Sequence, residues 1–410
     1  MTAGNFANLI TQAAPTALLA LGLVFVLLLG EIDLSAATGS GISAALMAVA
    51  LNHGGDIRNQ LGIGTFIAVL ALICAAAVVT VASRLWLAAV LIATTGILIG
   101  FGLVGSAAAA VIVVAGVGTA VGTLTGFLVA RVGIPSFVVT LALFLAWQGA
   151  LLQIVGQGNA IATQQIDFLN ALSNKNLPPA WGWVLLIVAV GIYSAGLLSR
   201  SVGHRRRGLP TKRPTIVLLQ ATLVLVVAVA ALLVLNQERG RHPDVVSVRG
   251  VPIVVPIVLA LAGLLTVVLR RTSFGRHLYA VGGSSEAARR AGIDVTRMRV
   301  AAFAICSLMA ALGGVLLTSR IGGVPADFGG GNTLLYAVGA AVIGGVSLFG
   351  GRGRVRDAIV GAFVVAIIPN GLGLLSVNSS YNFMITGGVL LVAAGIDAVS
   401  RSRARKAGNR

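Results

Sequence analysis

The chain has 410 residues, of which 57% are hydrophobic and 10% charged, against roughly 25% charged in a typical water-soluble domain. That composition excludes a soluble enzyme or binding module, and two cysteines are too few for a disulfide framework or a metal site. A net charge of +18 would suit nucleic acid, but the basic residues are spread over separate connections instead of one contiguous face, which excludes that partner.

In chain order, apolar runs fall at 13–29, 35–51, 65–83, 86–104, 107–130, 136–155, 182–199, 215–235, 252–270, 300–318, 333–349, 357–375 and 382–399. Each is about as long as a helix needs to be to cross a bilayer. The expected fold class is therefore all-α: one polytopic transmembrane helical bundle of about 12–13 spans filling residues 1–410. Twenty-three of the 29 basic residues lie in alternate connections, around Arg84, Arg131, 200–213, 270–299, 352–356 and 401–410. This bias places those connections and the C-terminus in the cytoplasm, and by parity Met1 outside.

The first connection carries the first chemical anomaly. LVFVLLLGEIDLSAATGSG, residues 23–41, sets Glu31 and Asp33 between apolar runs with no Lys or Arg within twenty residues. A charge at mid-bilayer costs about 2.5–3.5 kcal/mol, so the acids need bonding or solvation. Two compatible readings stay open. Asp33 caps the helix that begins at Leu34-Ser35, or the acids mark a break between two half-length helices lining a transport cavity. Further on, Gly118, Gly122 and Gly126 share one helix face, which allows close packing in lipid. Gly100-Phe-Gly102-Leu-Val-Gly105 matches a dinucleotide fingerprint but ends a span, so it reads as packing.

Residues 200–214 form a basic cytoplasmic loop, and 271–299 a longer one with internal order. Gly282 and Gly283 end one segment, and Ser284 or Ser285 can cap the next. Glu286 then falls in its first turn, with Ala287 and Ala288 following, and Arg289 and Arg290 in its last, the favourable signs for the helix dipole. Gly292 supplies the stop. A helix of about two turns is not stable alone, so it either rests on lipid headgroups or docks into a partner. None of the three lysines follows a glycine, so there is no P-loop, and ATP hydrolysis would need another chain. Neither an acidic nor a histidine cluster serves as a proton relay or metal site.

Four co-linear stretches resemble the membrane permease subunits of bacterial sugar ABC importers, the ribose/xylose/arabinose/galactose family. They are GEIDLS (30–35), GFLVARVGIPSFVVTLALF (126–144), TSFGRHLYAVGGSSEAARRAGIDV (272–295) and AAVIGGVSLFGGRGRVRDAIVGA (340–362). Glu31 and the extra spans flanking SVGHRRRGLPTKRP look most like xylose permeases. Gln148-Gly149 departs from the Arg-Gly of many members, and Arg356-Asp357 reads as a salt-bridged helix start. Residues 62–104 have no counterpart that can be placed.

The resemblance implies the ABC importer permease fold and a non-enzymatic role without cofactors, translocating a monosaccharide, with xylose the expected pentose. It implies a homodimer with a second permease copy, a cytoplasmic ATP-binding subunit, an extracytoplasmic sugar-binding protein and surrounding membrane lipid. Residues 282–293 would receive the ATPase's motion, while 156–180 and 319–332 would meet the binding protein. Glu31, Asp33, Ser35, Thr140 and Gln148 are the expected substrate-pathway residues. Members usually carry one more span ahead of the NLITQAAPTALLALG-like segment, so the family's first helix is expected to be absent here, with the assigned start downstream of the true one. Alternatives are an ion-coupled secondary carrier, an intramembrane transferase, and an ABC permease for branched-chain amino acids.

Overall fold

The structure, a computed structural model, describes residues 2–55, 57–206, 208, 213–240, 247–375, 380–381, 383–389, 391–392 and 395. It divides into two compact units, 1–11 with 174–257 and 12–173 with 258–410. The larger unit takes in most of α1 (Ala3–Leu28), then α2 (Ala36–Asn52), α3 (Arg58–Ala82), α4 (Trp86–Gly100) and α5 (Ala107–Phe127). A π turn, Leu128–Val132, prolongs α5 before α6 (Ser136–Val155), strand β1 (Ala160–Ala162) and α7 (Asp167–Asn174).

The smaller unit contains strand β2 (Asn176–Leu177), α8 (Pro179–Arg206), α9 (Pro214–Leu235) and strand β3 (Val251–Pro252), which pairs antiparallel with β2. After α9 the backbone is held by Glu238. Its carboxylate accepts hydrogen bonds from Ser247 Oγ (2.7 Å) and the amides of Arg239, Gly240 and Val248, and pairs with Arg249 at 2.6 Å. The hydroxyl and amide donors hold this partly buried carboxyl well below the usual carboxylate range.

The larger unit resumes with α10 (Val254–Arg271), α11 (Ser273–Gly283), α12 (Ser285–Arg290), α13 (Val295–Ile321), strand β4 (Gly323–Pro325), α14 (Asn332–Ile343) and α15 (Val355–Leu374). β4 pairs antiparallel with β1. Among the described residues nine helices are long and apolar enough to cross a membrane, and α2, α4 and α14 are shorter apolar helices. The chain is thus a polytopic helical bundle, as expected. The span expected at 382–399 lies partly outside the described residues, as does much of the 200–214 loop.

The core is built on small side chains. Every residue of α2 from Ala36 to Ala50 is buried, so this helix is surrounded. Its composition explains why: Ala, Gly, Ser and Thr let neighbours approach on all sides. The glycine face of α5 behaves as its spacing implies. A Cβ on Gly118 would come 2.8 Å from the Ser307 carbonyl, one on Gly126 would come 2.8 Å from Val300 Cα, and one on Gly122 would strike the Phe303 carbonyl. Residues 62–104 form α3, α4 and the turn that follows. Thr95 of α4 fastens them to α5 by donating to Leu91 O and Ile112 O beside Gly116. The Gly100–Gly105 stretch is a tight turn at the end of α4, with Gly55 packed on Gly102 and Gly105.

Two expectations need correction. The run 333–349 is not a spanning helix: α14 stops at Ile343 after 12 residues, about 18 Å of helix, and turns at Gly345. Nor is 29–35 flanked by half-length helices, because α1 runs 26 residues, about 39 Å, and α2 17 residues, about 25 Å. The discontinuous crossing lies elsewhere. From β4 the chain runs non-helically through 326–331 alongside α2, with Phe328 against Gly41 and Gly329 against Ala37, before α14 begins. Hydropathy registers apolar residues but not whether their backbone coils, which is why 333–349 reads as an ordinary span and 326–331 as part of a loop.

Candidate functional site

The four sequence stretches meet at one junction around the end of α1. Gly30, at φ +77°, terminates that helix in the left-handed conformation that glycine tolerates. A helix end leaves carbonyls without intrahelical partners. The carbonyl of Leu28 accepts a hydrogen bond from the amide of Gly351 at 2.9 Å. A side chain on Gly282 would collide with that same carbonyl, and one on Gly350 would lie 3.0 Å from Gly30 N. Three backbone segments therefore touch where only hydrogen fits. Tyr279 of α11 reinforces the contact by donating to Gly353 O at 2.7 Å, and burial pushes its phenol up. The rings of Phe25 and Phe274 stack with centroids 6.5 Å apart.

The acids at this junction are not unpaired. Arg299, in the second turn of α13, meets Glu31 at 3.1 Å, with both side chains largely buried. The partner stands 268 residues along the chain, so local spacing could not reveal it; the only signal was Arg299 standing at the start of an apolar run. Asp33 is fully buried, and its Oδ1 accepts from Ser35 N (2.9 Å), Ser35 Oγ (2.7 Å) and Ala36 N (3.2 Å). It caps α2 from two positions before the N-cap residue Ser35, whose own side chain makes no cap bond. The capping reading therefore holds, with α2 beginning at Ala36 instead of Leu34-Ser35. Asp33 Oδ2 is buried without a hydrogen-bond partner, and Cys306 of α13 is its titratable neighbour.

The GFLVARVGIPSFVVTLALF stretch supplies the other wall. Ile32 N donates to Ser136 Oγ at 3.4 Å, and Thr140 Oγ1 donates to Ile32 O at 3.3 Å as well as to Ser136 O. Of the five expected pathway residues, Glu31, Asp33, Ser35 and Thr140 are thus assembled at one place. Gln148 is not: it lies two turns further along α6, where its Nε2 donates to Ala326 O at 2.8 Å and holds the non-helical 326–331 segment.

The short helix expected between Gly283 and Gly292 exists as α12. Of the two candidate serines it is Ser284 that caps it, accepting from Ala287 N at 3.2 Å, while Ser285 is its first residue. Glu286 and Arg290 pair at 3.2 Å, and Gly292 at φ +80° ends the turn. Ala288 is buried; Glu286, Arg289 and Arg290 face outward. Asp294 then caps α13 by accepting from Arg297 N at 2.9 Å. Gly282 and Gly283 differ: the first is pinned at Leu28, while a Cβ on the second meets nothing. Short as it is, α12 has a rigid base, because α11 is locked to the ends of α1 and the 350–353 turn. Among the described residues no group of His, Cys, Asp or Glu could hold a metal.

A family profile described as "Branched-chain amino acid transport system / permease component" matches residues 5–394. The chain is 32% identical over 408 residues to the xylose transport system permease protein of Escherichia coli K12, covering 98% of this chain and 87% of that one. It is 40% identical over 149 residues to the ribose import permease protein of Bacillus subtilis, covering 36% and 46%. To the fructose import permease protein of Rhizobium meliloti it is 38% identical over 143 residues, covering 35% and 39%. No solved structure matches the chain.

Proposed function

The chain belongs to this ABC permease-component family, among its sugar permeases and close to those for xylose, and on that premise we propose that it imports a monosaccharide, D-xylose being the first substrate to test. The proposal places two copies side by side in the cytoplasmic membrane with the C-terminus inside. A separate ATPase would lie below them, and an extracytoplasmic sugar-binding protein would dock on the loops around 156–180 and 319–325, since the rest of the expected 319–332 loop runs along α2.

The observation that carries the mechanism is the contact of Gly282 with the Leu28 carbonyl. In this reading α12 seats in the ATPase, with Glu286, Arg289 and Arg290 as the contact surface. Movement of the ATPase subunits displaces α11, to which α12 is joined. Because Gly282, Gly351 and Leu28 are in backbone contact, the displacement passes to the end of α1 and the GEIDLS connection without a compliant side chain between them. Ile32 passes it to α6 through Ser136 and Thr140. The permease itself makes and breaks no covalent bond.

Reconstitution in proteoliposomes with a partner ATPase and sugar-binding protein tests the proposal. ATP-dependent uptake of radiolabelled D-xylose is expected, with ribose and leucine as comparisons. Leucine uptake without sugar uptake would instead favour the amino-acid reading that the family description carries. Uptake driven by an ion gradient without ATP would overturn both.

A further inference from the structure

The depth of the 326–331 segment can be measured along α2. Phe328 lies against Gly41 and Gly329 against Ala37. These positions stand eleven and fifteen residues, about 16 and 22 Å of helix, from Asn52 at the end where Asn52 bonds Ala162 of β1. Asp327 lies between Phe328 and Ala326, whose carbonyl is fixed by Gln148. A carboxylate is thus carried deep into the apolar slab on backbone that is not helical.

Its surroundings differ from those of the other two acids at depth. Glu31 has Arg299, and Asp33 has three hydrogen bonds from its helix. Asp327 is exposed, and among the described residues its side chain has neither a hydrogen bond nor an ion pair. Irregular backbone at membrane depth is tolerated only where it is buried in protein or lines a watery cavity, and an ionisable residue there faces such a cavity or a partner. One side of this segment is closed by α2. Gly329, Gly330 and Gly331 let it lie that close: side chains on the first two would meet Ala37 and Gln148.

We propose that Asp327 faces the water-filled passage and accepts hydrogen bonds from the hydroxyls of the passing sugar, with Gln148 as the positioning residue that holds its segment. This rests on the sugar-import reading above. A fixed carboxylate suits a neutral polyol, which supplies only donors and weak acceptors, and it holds the sugar loosely enough to let it leave. Gln148 acts through the backbone of Ala326 and needs no contact with the sugar.

Two measurements test it. In proteoliposomes holding the full complex, Asp327→Ala is expected to lower D-xylose uptake at least tenfold, and Asp327→Asn, which keeps one acceptor oxygen, to lower it less. Independently, Asp327→Cys in a Cys74→Ser background is expected to react with a membrane-impermeant methanethiosulfonate reagent and to be protected by D-xylose. Absence of labelling, or wild-type uptake by Asp327→Ala, overturns the proposal. Labelling without protection makes Asp327 a wall of the passage but not a sugar contact, and overturns it too. Failure of the wild-type complex to carry any sugar would instead sink the sugar reading, and the labelling result would stand apart from it.

Discussion

Replacing Asp33 tests how the junction is held together. Its Oδ1 accepts from two backbone amides and one hydroxyl in a fully buried position. A hydrogen bond to a charged acceptor contributes about 1.5–3 kcal/mol. The three share one oxygen and do not add, so Asp33→Ala is expected to cost about 2–4 kcal/mol, at or above the upper end for a lost N-cap. Asp33→Asn keeps the acceptor at Oδ1 and relieves Oδ2, which is buried without a hydrogen-bond partner, so it is expected to cost under about 1 kcal/mol. Thermal melting of the detergent-solubilised protein, followed by size-exclusion chromatography, reads both. For Asp33→Ala a midpoint lowered by roughly 5–10 °C is expected, taking a few degrees per kcal/mol. Glu31→Gln, which keeps an acceptor for Arg299, is expected to fall between the two, and uptake to follow the same order. Equal melting of Asp33→Ala and wild type would refute capping by Asp33, and equal loss in Asp33→Asn and Asp33→Ala would refute the assignment of the cap to Oδ1.

Gly282→Ala is expected to abolish coupled uptake or assembly while Gly283→Ala leaves both intact, because only the first meets the Leu28 carbonyl; uptake assays and complex yield read the pair. A double-mutant cycle on Glu31→Gln and Arg299→Gln is expected to show about 1.5–3 kcal/mol of coupling in melting experiments, and additivity would remove the ion pair from the junction. The folded-state pKa of Glu238 is depressed, so its hold on the backbone after α9 is present above its ordinary value of 4.5 and lost as the pH falls below it. Amide exchange at Gly240 and Val248, compared with a Glu238→Gln variant across that range, checks this: protection should fall with pH only in the wild type.

The parts legible in the sequence are those decided locally. Apolar runs of bilayer length located nearly all the helices, and α12 could be read, save for which of Ser284 and Ser285 caps it, because its cap, charges and stop lie within ten residues of one another. What could not be read is what distant backbone decides. Nothing near Glu31 announces Arg299, and nothing near Gly282 announces Leu28, because a glycine required for close approach looks the same as one that merely ends a helix. Gly282 and Gly283 are adjacent and identical in type, yet only one is constrained. The end of α14 escapes hydropathy for a related reason: the apolar run 333–349 continues past Ile343, where the helix stops, while the run Gly329-Gly330-Gly331, a poor helix former, does mark where coiling fails ahead of it.

The junction and the Asp327 segment are joined by one helix, and this yields the last prediction. α6 holds Ile32 through Ser136 and Thr140 near its start, and holds Ala326 through Gln148 eight residues past Thr140, about 12 Å along the same rigid rod. A displacement delivered at the GEIDLS connection therefore reaches the non-helical crossing without passing through any loop. Gln148→Leu removes the bond to Ala326 but keeps bulk and apolar contact, so the protein should fold and assemble. In proteoliposomes it is expected to leave ATP hydrolysis running while D-xylose uptake per ATP falls severalfold. Spatial intermediacy alone does not establish coupling, so the decisive comparison is a double mutant with Thr140→Val, which cuts the same rod at its other attachment. If the two act in one line, the second substitution adds little to the first. Fully multiplicative losses would mean that α6 is a scaffold for both sites and transmits nothing between them.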